Sequence, residues 1–285
     1  YAKHHAQKTK SACLIYDTPQ FLRERRAFQG MDCDENTKSW RRYLKALREC
    51  DWAIIISEGV RATAIKHYDW LEKKASVITP AVMSKIADAN LSPEYVTERE
   101  RNIIVIGRNV TYKRLWASVK MLCEETLLPV SDANCPSMLT VIGDNVGALQ
   151  GKILPEWESS GVTVRLIENC PEALKWELLG KSRALVHFSE SEGFGIVIAE
   201  AMYACTPVVT RRDPVYAELF GEHPYYCGNE TEMCNVARRI FISWDAIGEE
   251  QDASPKEKII SYASAARTYA MNRYGKQFME HRIGE

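Results

Sequence analysis

Apolar and polar positions alternate along this chain in a way that predicts strands separated by helices. Short β-branched runs fall at 12–16, 52–57, 75–78, 102–107, 139–143, 162–167, 184–188 and 207–210. Each is long enough for a buried strand and too short for a helix. Amphipathic stretches lie between them. In 39–50, Trp40, Tyr43, Leu44 and Leu47 recur at i, i+3, i+4 and i+7, and further helical patterns cover 115–127, 171–179, 232–244 and 255–279. Parallel strands need crossover connections, so this alternation implies an α/β fold built on parallel sheets. The segment 79–101, with Pro80, Pro93 and a Thr-Glu-Arg-Glu-Arg run, breaks the pattern. It places a domain boundary near residue 100, giving an amino-terminal domain over 1–98 and a carboxyl-terminal one over 99–285.

Composition narrows the class without naming it. The 285 residues are 46% hydrophobic and 26% charged, an ordinary globular balance. No apolar run approaches the roughly 18 residues a membrane span needs, and no signal peptide is visible. The chain begins at Tyr1, which suggests a trimmed or incomplete amino terminus. Nine cysteines, odd in number and without a C-x-x-C pair, signal neither a disulfide framework nor a zinc site and fit a reducing, cytoplasmic setting. Sequons at Asn90, Asn109 and Asn229 are read as chance occurrences. The net charge of -1 hides an asymmetry, since residues 1–48 hold eleven Lys or Arg against five Asp or Glu. Arg41, Arg42, Lys45 and Arg48 therefore form either a solvated helix face, the more economical account, or a peripheral contact with an anionic membrane or acidic glycan. Nothing points to nucleic acid.

The most informative stretch is 189–209, Ser-Glu-Ser-Glu-Gly-Phe-Gly-Ile-Val-Ile-Ala-Glu-Ala-Met-Tyr-Ala-Cys-Thr-Pro-Val-Val. Gly193 and Gly195 let backbone approach a ligand, and the helix that follows offers free amides and the positive end of its dipole to a phosphate. Glu192 and Glu200 flank that seat. Strand 102–107 ends in Gly107-Arg108 with Lys113 soon after, aiming cations at the carboxyl end of a parallel sheet, where such sheets bind ligands. Buried in an apolar helix, an unpaired Glu200 would be costly, which argues for a partner.

The Glu192/Glu200 spacing resembles the paired-glutamate signature of retaining GT-B glycosyltransferases, in particular family 4, the glycosyl transferases group 1 type. Gly107-Arg108…Lys113, the Val-Ile-Gly-Asp at 141–144 and Pro-Val-Val at 207–209 add to the resemblance. It implies two Rossmann-like domains facing a crevice, with the last helix crossing back to the first domain. By resemblance, Arg108 and Lys113 meet the donor diphosphate and Glu192 the sugar as catalytic groups. Gly107, Gly193, Phe194, Gly195, Ile196 and Val197 line the donor site, Glu200 takes the ribose, and backbone around Glu168 takes the base. The first domain is about half the family's usual length, and Tyr16-Asp17 stands where the family has a histidine, so Asp17 is placed toward the transferred sugar. Cys205 replaces the usual glycine before the Thr-Pro-Val-Val strand. His187 is expected in the core, and Asp32-Cys33-Asp34 is discounted as a metal motif because no strand precedes it.

The implied function is metal-independent, retaining hexosyl transfer from a nucleotide-sugar, UDP- or GDP-linked, to a glycan, lipid or other acceptor. The donor is a substrate, and no cofactor is expected. Two alternatives remain open: a nucleotide-sugar-binding subunit without its own activity, or a nucleotide-sugar epimerase of the same fold.

Overall fold

The computed structural model describes residues 10–15, 38–82, 97–132, 134–190, 192–246 and 253–275. The chain divides into two compact units, 1–80 with 191–194, and 81–190 with 195–285.

In the first unit β1 (Ala12–Ile15), β2 (Trp52–Ile55) and β3 (Ala75–Val77) pair in parallel in that order. They are connected through α1 (Lys38–Glu49) and α2 (Glu58–His67). Ile15, Ala53 and Ile55 are fully buried between the connecting helices. On α1, Leu47 is buried, Tyr43 and Leu44 are half-buried, and the Tyr43 hydroxyl donates to the Leu14 carbonyl at 2.8 Å. Arg41, Arg42, Lys45 and Arg48 are exposed. Lys74, just before β3, donates to the carbonyls of Leu47, Arg48 and Cys50, closing the carboxyl end of α1 with a cation. The Ser57 side chain caps α2 by accepting from the Val60 amide at 3.2 Å.

The second unit holds a six-stranded, wholly parallel sheet of β4 (Glu100–Ile106), β5 (Ser137–Ile142), β6 (Val162–Ile167), β7 (Ser182–His187), β8 (Val208–Arg211) and β9 (Tyr225–Cys227). Its order is β6-β5-β4-β7-β8-β9. The chain therefore starts in the middle, runs outward to β6, and returns to build the other half from β7. That doubly wound order has its switch point between β4 and β7, where ligands bind outside the carboxyl ends of the strands. The helices are α3 (Leu115–Met121), continued by a π-helical turn at Leu122–Leu127, α4 (Pro155–Ser159), α5 (Glu172–Lys181), α6 (Ile196–Tyr203), α7 (Pro214–Phe220), α8 (Glu230–Ser243) and α9 (Pro255–Tyr274).

All six residues of β7 are buried, as expected of a central strand covered on both faces. Inside it runs a satisfied polar ladder. The Thr140 hydroxyl of β5 donates to the Asn102 carbonyl oxygen at 3.0 Å, and the Asn102 amide donates to the Ser182 hydroxyl of β7 at 2.8 Å. The Ser182 hydroxyl then donates to the Leu178 carbonyl of α5 at 2.6 Å. Such a network is stable only in one register, so it fixes how β4 sits between its neighbours.

The eight strands expected from the sequence are all present, with ends shifted by one or two residues. Four elements were not anticipated: β9, α2, α4 and α7. The helix expected over 255–279 is described to Tyr274 and packs on α6 within the second unit. Residue 99, at the start of the expected second domain, is buried in the second unit. Tyr16, Asp17, Asp32 and Asp34 lie outside the described residues.

Candidate active site

The switch point carries two loops. The first leaves β4 at Gly107. The Gly107 amide donates to the Ile142 carbonyl of β5 at 2.9 Å, and the neighbouring loop meets it at Gly143, where a Cβ would lie 1.9 Å from the Gly107 carbonyl oxygen. Glycine at 143 is therefore a requirement of close backbone approach. The chain then crosses Arg108 and Asn109, turns through a 3-10 segment at Thr111–Lys113, and enters α3. Arg108 is exposed and donates to the Tyr112 hydroxyl at 3.1 Å, while the Lys113 ammonium lies 5.3 Å from the Tyr112 ring centroid. The two cations thus share one aromatic ring as their support.

The second loop leaves β7, and the Glu190 amide donates to the Tyr112 carbonyl at 2.9 Å, stitching the two loops together. Arg114 reinforces the stitch. Its backbone is left-handed, with φ 51°, and its guanidinium pairs with Glu190 at 3.0 Å and with Glu230 of α8 at 2.8 Å. A non-glycine residue in that conformation costs about 1 kcal/mol, which the two ion pairs offset.

After Glu192, Gly193 and Phe194, of which the last two are buried, the chain reaches Gly195 at φ 86°. A Cβ at 195 would sit 3.1 Å from the Tyr216 ring and 3.4 Å from that of Phe220, so conformation and space both call for glycine. Gly195 caps α6: its carbonyl accepts from the amides of Ile198 at 2.9 Å and Ala199 at 3.3 Å. The amides of Ile196 and Val197 precede the first intrahelical bond and form the donor-rich head of the helix. Ile196 is 41% exposed there, whereas Ile198 through Tyr203 are all buried.

Glu200 projects from the middle of this apolar helix and is only 8% exposed. Its Oε1 accepts from the Lys175 ammonium of α5 at 2.6 Å, and Lys175 also pairs with Glu172 at 3.1 Å. Its Oε2 is buried and has no hydrogen-bond partner among the described residues. Burial pushes the Glu200 carboxyl above its ordinary value; Lys175 pulls the other way, and Glu172 adds to the rise. Burial acts to lower the Lys175 pKa, but Glu200 and Glu172 outweigh it and hold the ammonium above its usual range.

The carboxyl end of α6 is fixed by a group the sequence analysis passed over. Arg99, 7% exposed, donates to the carbonyls of Leu179, Gly180 and Ser182 at the end of α5 and of Ala204 and Cys205 after α6, and to the Thr206 hydroxyl. Burial lowers its pKa to about 10, which leaves it charged at neutral pH. Cys205 is left-handed, with φ 58°, at the turn where glycine was expected.

Glu168 is exposed and lies at the end of β6, away from the switch point; its carboxylate accepts from the Gly147 amide at 2.8 Å and so caps the turn after β5. His187 is buried at the end of β7 with its ring 6.2 Å from that of Tyr216, a core position. Among the described residues, no three His, Cys, Asp or Glu side chains gather as metal donors, and no helix is long and apolar enough to cross a membrane. Of the expected site residues, then, Gly107, Arg108 and Lys113 are joined to the loop that leads through Glu192 to Gly195, Ile196, Val197 and Glu200, while the backbone before Glu168 reaches the same edge through Gly143, whose amide donates to the Ile167 carbonyl at 3.1 Å. Lys175, Arg114 and Arg99 were not anticipated. Arg114 binds only carboxylates distant in sequence, Lys175 adds a distant one, Glu200, to its local partner Glu172, and Arg99 binds backbone carbonyls and the Thr206 hydroxyl, so no local motif announces the roles they take.

Parallel sheets, a doubly wound switch point and a buried carboxylate beside it make this an α/β protein, and its likeness to solved glycosyltransferases gives it the GT-B fold. A family model described as glycosyl transferases group 1 matches residues 93–238, just over half of the chain, and the chain belongs to that family. Among curated proteins it is 33% identical to the serotype-specific mannosyltransferase WbdA of Escherichia coli over 96 residues, 34% of this chain and 11% of that one. Among solved structures it is similar to WaaG, a glycosyltransferase involved in lipopolysaccharide biosynthesis, with a TM-score of 0.64 and 17% identity over 96% of this chain and 75% of that one. It is also similar to S. aureus TarM, solved as a mutant with fondaparinux, α-GlcNAc-glycerol and UDP, with a TM-score of 0.63 and 17% identity over 98% of this chain and 51% of that one. The chain thus spans about a tenth of the mannosyltransferase and about half of TarM.

Proposed function

We propose that the protein is a retaining hexosyltransferase that uses a nucleotide-sugar donor, UDP- or GDP-linked, and a glycan or lipid-linked acceptor. The observation that carries this is Glu200, a buried carboxylate with one oxygen held by Lys175 and the other unsatisfied. An acceptor so placed suits one hydroxyl of a ribose diol, because leaving it unpaired is costly and a hydroxyl is the group that satisfies it. TarM, which carries UDP in its complex, shares the fold and supports a uridine donor as the first to test.

In this scheme the diphosphate rests against the amides of Ile196 and Val197 with Arg108 and Lys113 beside it. Those charges stabilise the departing phosphate as the bond from the anomeric carbon to the diphosphate oxygen breaks, without requiring a metal. The acceptor hydroxyl oxygen bonds to the same face of the sugar, and its proton passes to the leaving diphosphate. Glu192 orients the sugar hydroxyls and stabilises positive charge developing at the anomeric carbon. Asp17 is proposed, by family resemblance alone, on the sugar side.

A calorimetric screen against UDP, GDP, ADP and their common sugars, with mass spectrometry of any donor that binds, tests the proposal. Binding of one nucleotide with slow hydrolysis or transfer of its sugar is expected. Failure of every nucleotide to bind would overturn it.

A further inference from the structure

We infer that Lys175 is a positioning residue for nucleotide binding: it holds Glu200 in one rotamer and in its ionised form, so that Oε2 is presented as the acceptor for a ribose hydroxyl. The inference rests on the donor site proposed above and extends it to a residue on a different helix. Lys175 lies on α5, the helix that leads into β7, and its side chain is 16% exposed. It reaches Glu200 Oε1 at 2.6 Å, and its second partner, Glu172, is 59% exposed on the same helix. Glu172 in turn accepts from the Trp176 indole at 2.7 Å, so the ammonium is fixed on both sides. Held by one oxygen, the Glu200 carboxylate cannot rotate its other oxygen away, and a preorganised acceptor loses little entropy on binding.

The charges facing α6 come from few elements. α5 presents Lys175 and Glu172. α9 presents Arg267, which donates to the Tyr203 carbonyl at 3.1 Å, and Arg99 serves the carbonyls that follow. Both of those cations are committed to the carboxyl end of the helix. His187 of β7 lies against Tyr216. Lys175 is therefore the cation that favours the ionised form of Glu200 against burial and Glu172, which both favour the protonated acid.

The test measures the affinity of UDP, and of GDP in parallel, by calorimetry between pH 5.5 and 8.5 for the full chain and for Lys175→Met, Lys175→Arg and Glu200→Gln. The 2′,3′-dideoxy form of the nucleotide that binds serves as the control ligand. Lys175→Met is expected to weaken binding about tenfold or more at pH 6 and to recover affinity as pH rises, because Glu200 regains its charge. Lys175→Arg should retain the pH profile of the parent, and the dideoxy ligand should show one common pH profile with all four proteins. Lys175→Gln reads the same contrast if Lys175→Met does not fold. A Lys175→Met or Lys175→Gln protein with parental affinity and the parental pH profile, while Glu200→Gln binds weakly, would overturn the role of Lys175 alone. Parental affinity in Glu200→Gln would overturn the ribose assignment itself.

Discussion

At the scale of single residues, the site depends on backbone that only one side chain allows. Gly195 combines φ 86° with an aromatic ring 3.1 Å from where a Cβ would be. Gly195→Ala should lower stability by about 1–2 kcal/mol and displace the head of α6, so thermal unfolding and nucleotide affinity should fall together. An alanine variant with parental affinity would show that the turn tolerates repositioning. The charged residues should separate by kinetics. In the proposed scheme Arg108→Ala would remove a cation from the diphosphate and is expected to weaken nucleotide binding. Glu192→Ala is expected to leave nucleotide affinity near parental and reduce kcat by about a hundredfold, since the role proposed for it falls on charge that develops only during transfer. Equal effects of the two on binding would contradict that division of labour.

At the scale of elements, helix ends in this protein are closed by distant cations. Lys74 serves α1, and Arg99 serves both α5 and α6. Arg99→Met keeps the volume but orphans several buried carbonyls and should cost about 3 kcal/mol, read as a lower denaturant midpoint. A second cluster ties α8 to the sheet: Asp245 accepts from Arg183 of β7 at 2.5 and 2.8 Å and also pairs with Arg101 of β4. The Arg183 hydrogen bonds, with both guanidinium charges, hold the Asp245 carboxyl below its ordinary 3.8. Because the folded-state value is depressed, its stabilisation is present above 3.8 and is lost as pH falls through the lower folded value. Asp245→Asn should therefore unfold at a lower temperature at pH 7, and the gap should close below pH 3.8. Elements of this kind were only partly legible in the sequence. Strands such as β4 and β7 declare themselves by apolar runs, and the acidic glycine turn declares the head of α6. The three residues of β9 are too few to show a period, and the seven of α7, opened by Pro214, span barely two turns. Lys175 and Arg99 carry no motif, because what they bind is brought near only by folding.

At the scale of the molecule, the two units differ in what they can hold. The six-stranded sheet with its β4/β7 switch point lies wholly in the second, and the donor should be bound there. Hydrogen exchange with saturating nucleotide is expected to slow in residues 107–113 and 196–203 and to leave β1, β2 and β3 little changed. At a ligand concentration a hundred times Kd the bound form gains about 2.7 kcal/mol. Protection confined to the three-stranded sheet would place the ligand elsewhere. Sequence patterning conveyed the parallel α/β plan because crossover helices impose it, whereas the strand order that creates the switch point is not written in any local pattern. Arg99 also acts beyond the carbonyls it closes. α6 has eight residues and is about 12 Å long, so a full positive charge is buried one short helix behind the anion seat, where water screens it little. At an effective dielectric near 20 that charge attracts each arriving negative charge by about 1 kcal/mol. In the proposed donor site, a side chain at the opposite end of the helix would thus raise the electric potential the ligand meets, and one guanidinium would act on both the stability of the helix and the affinity of its far end.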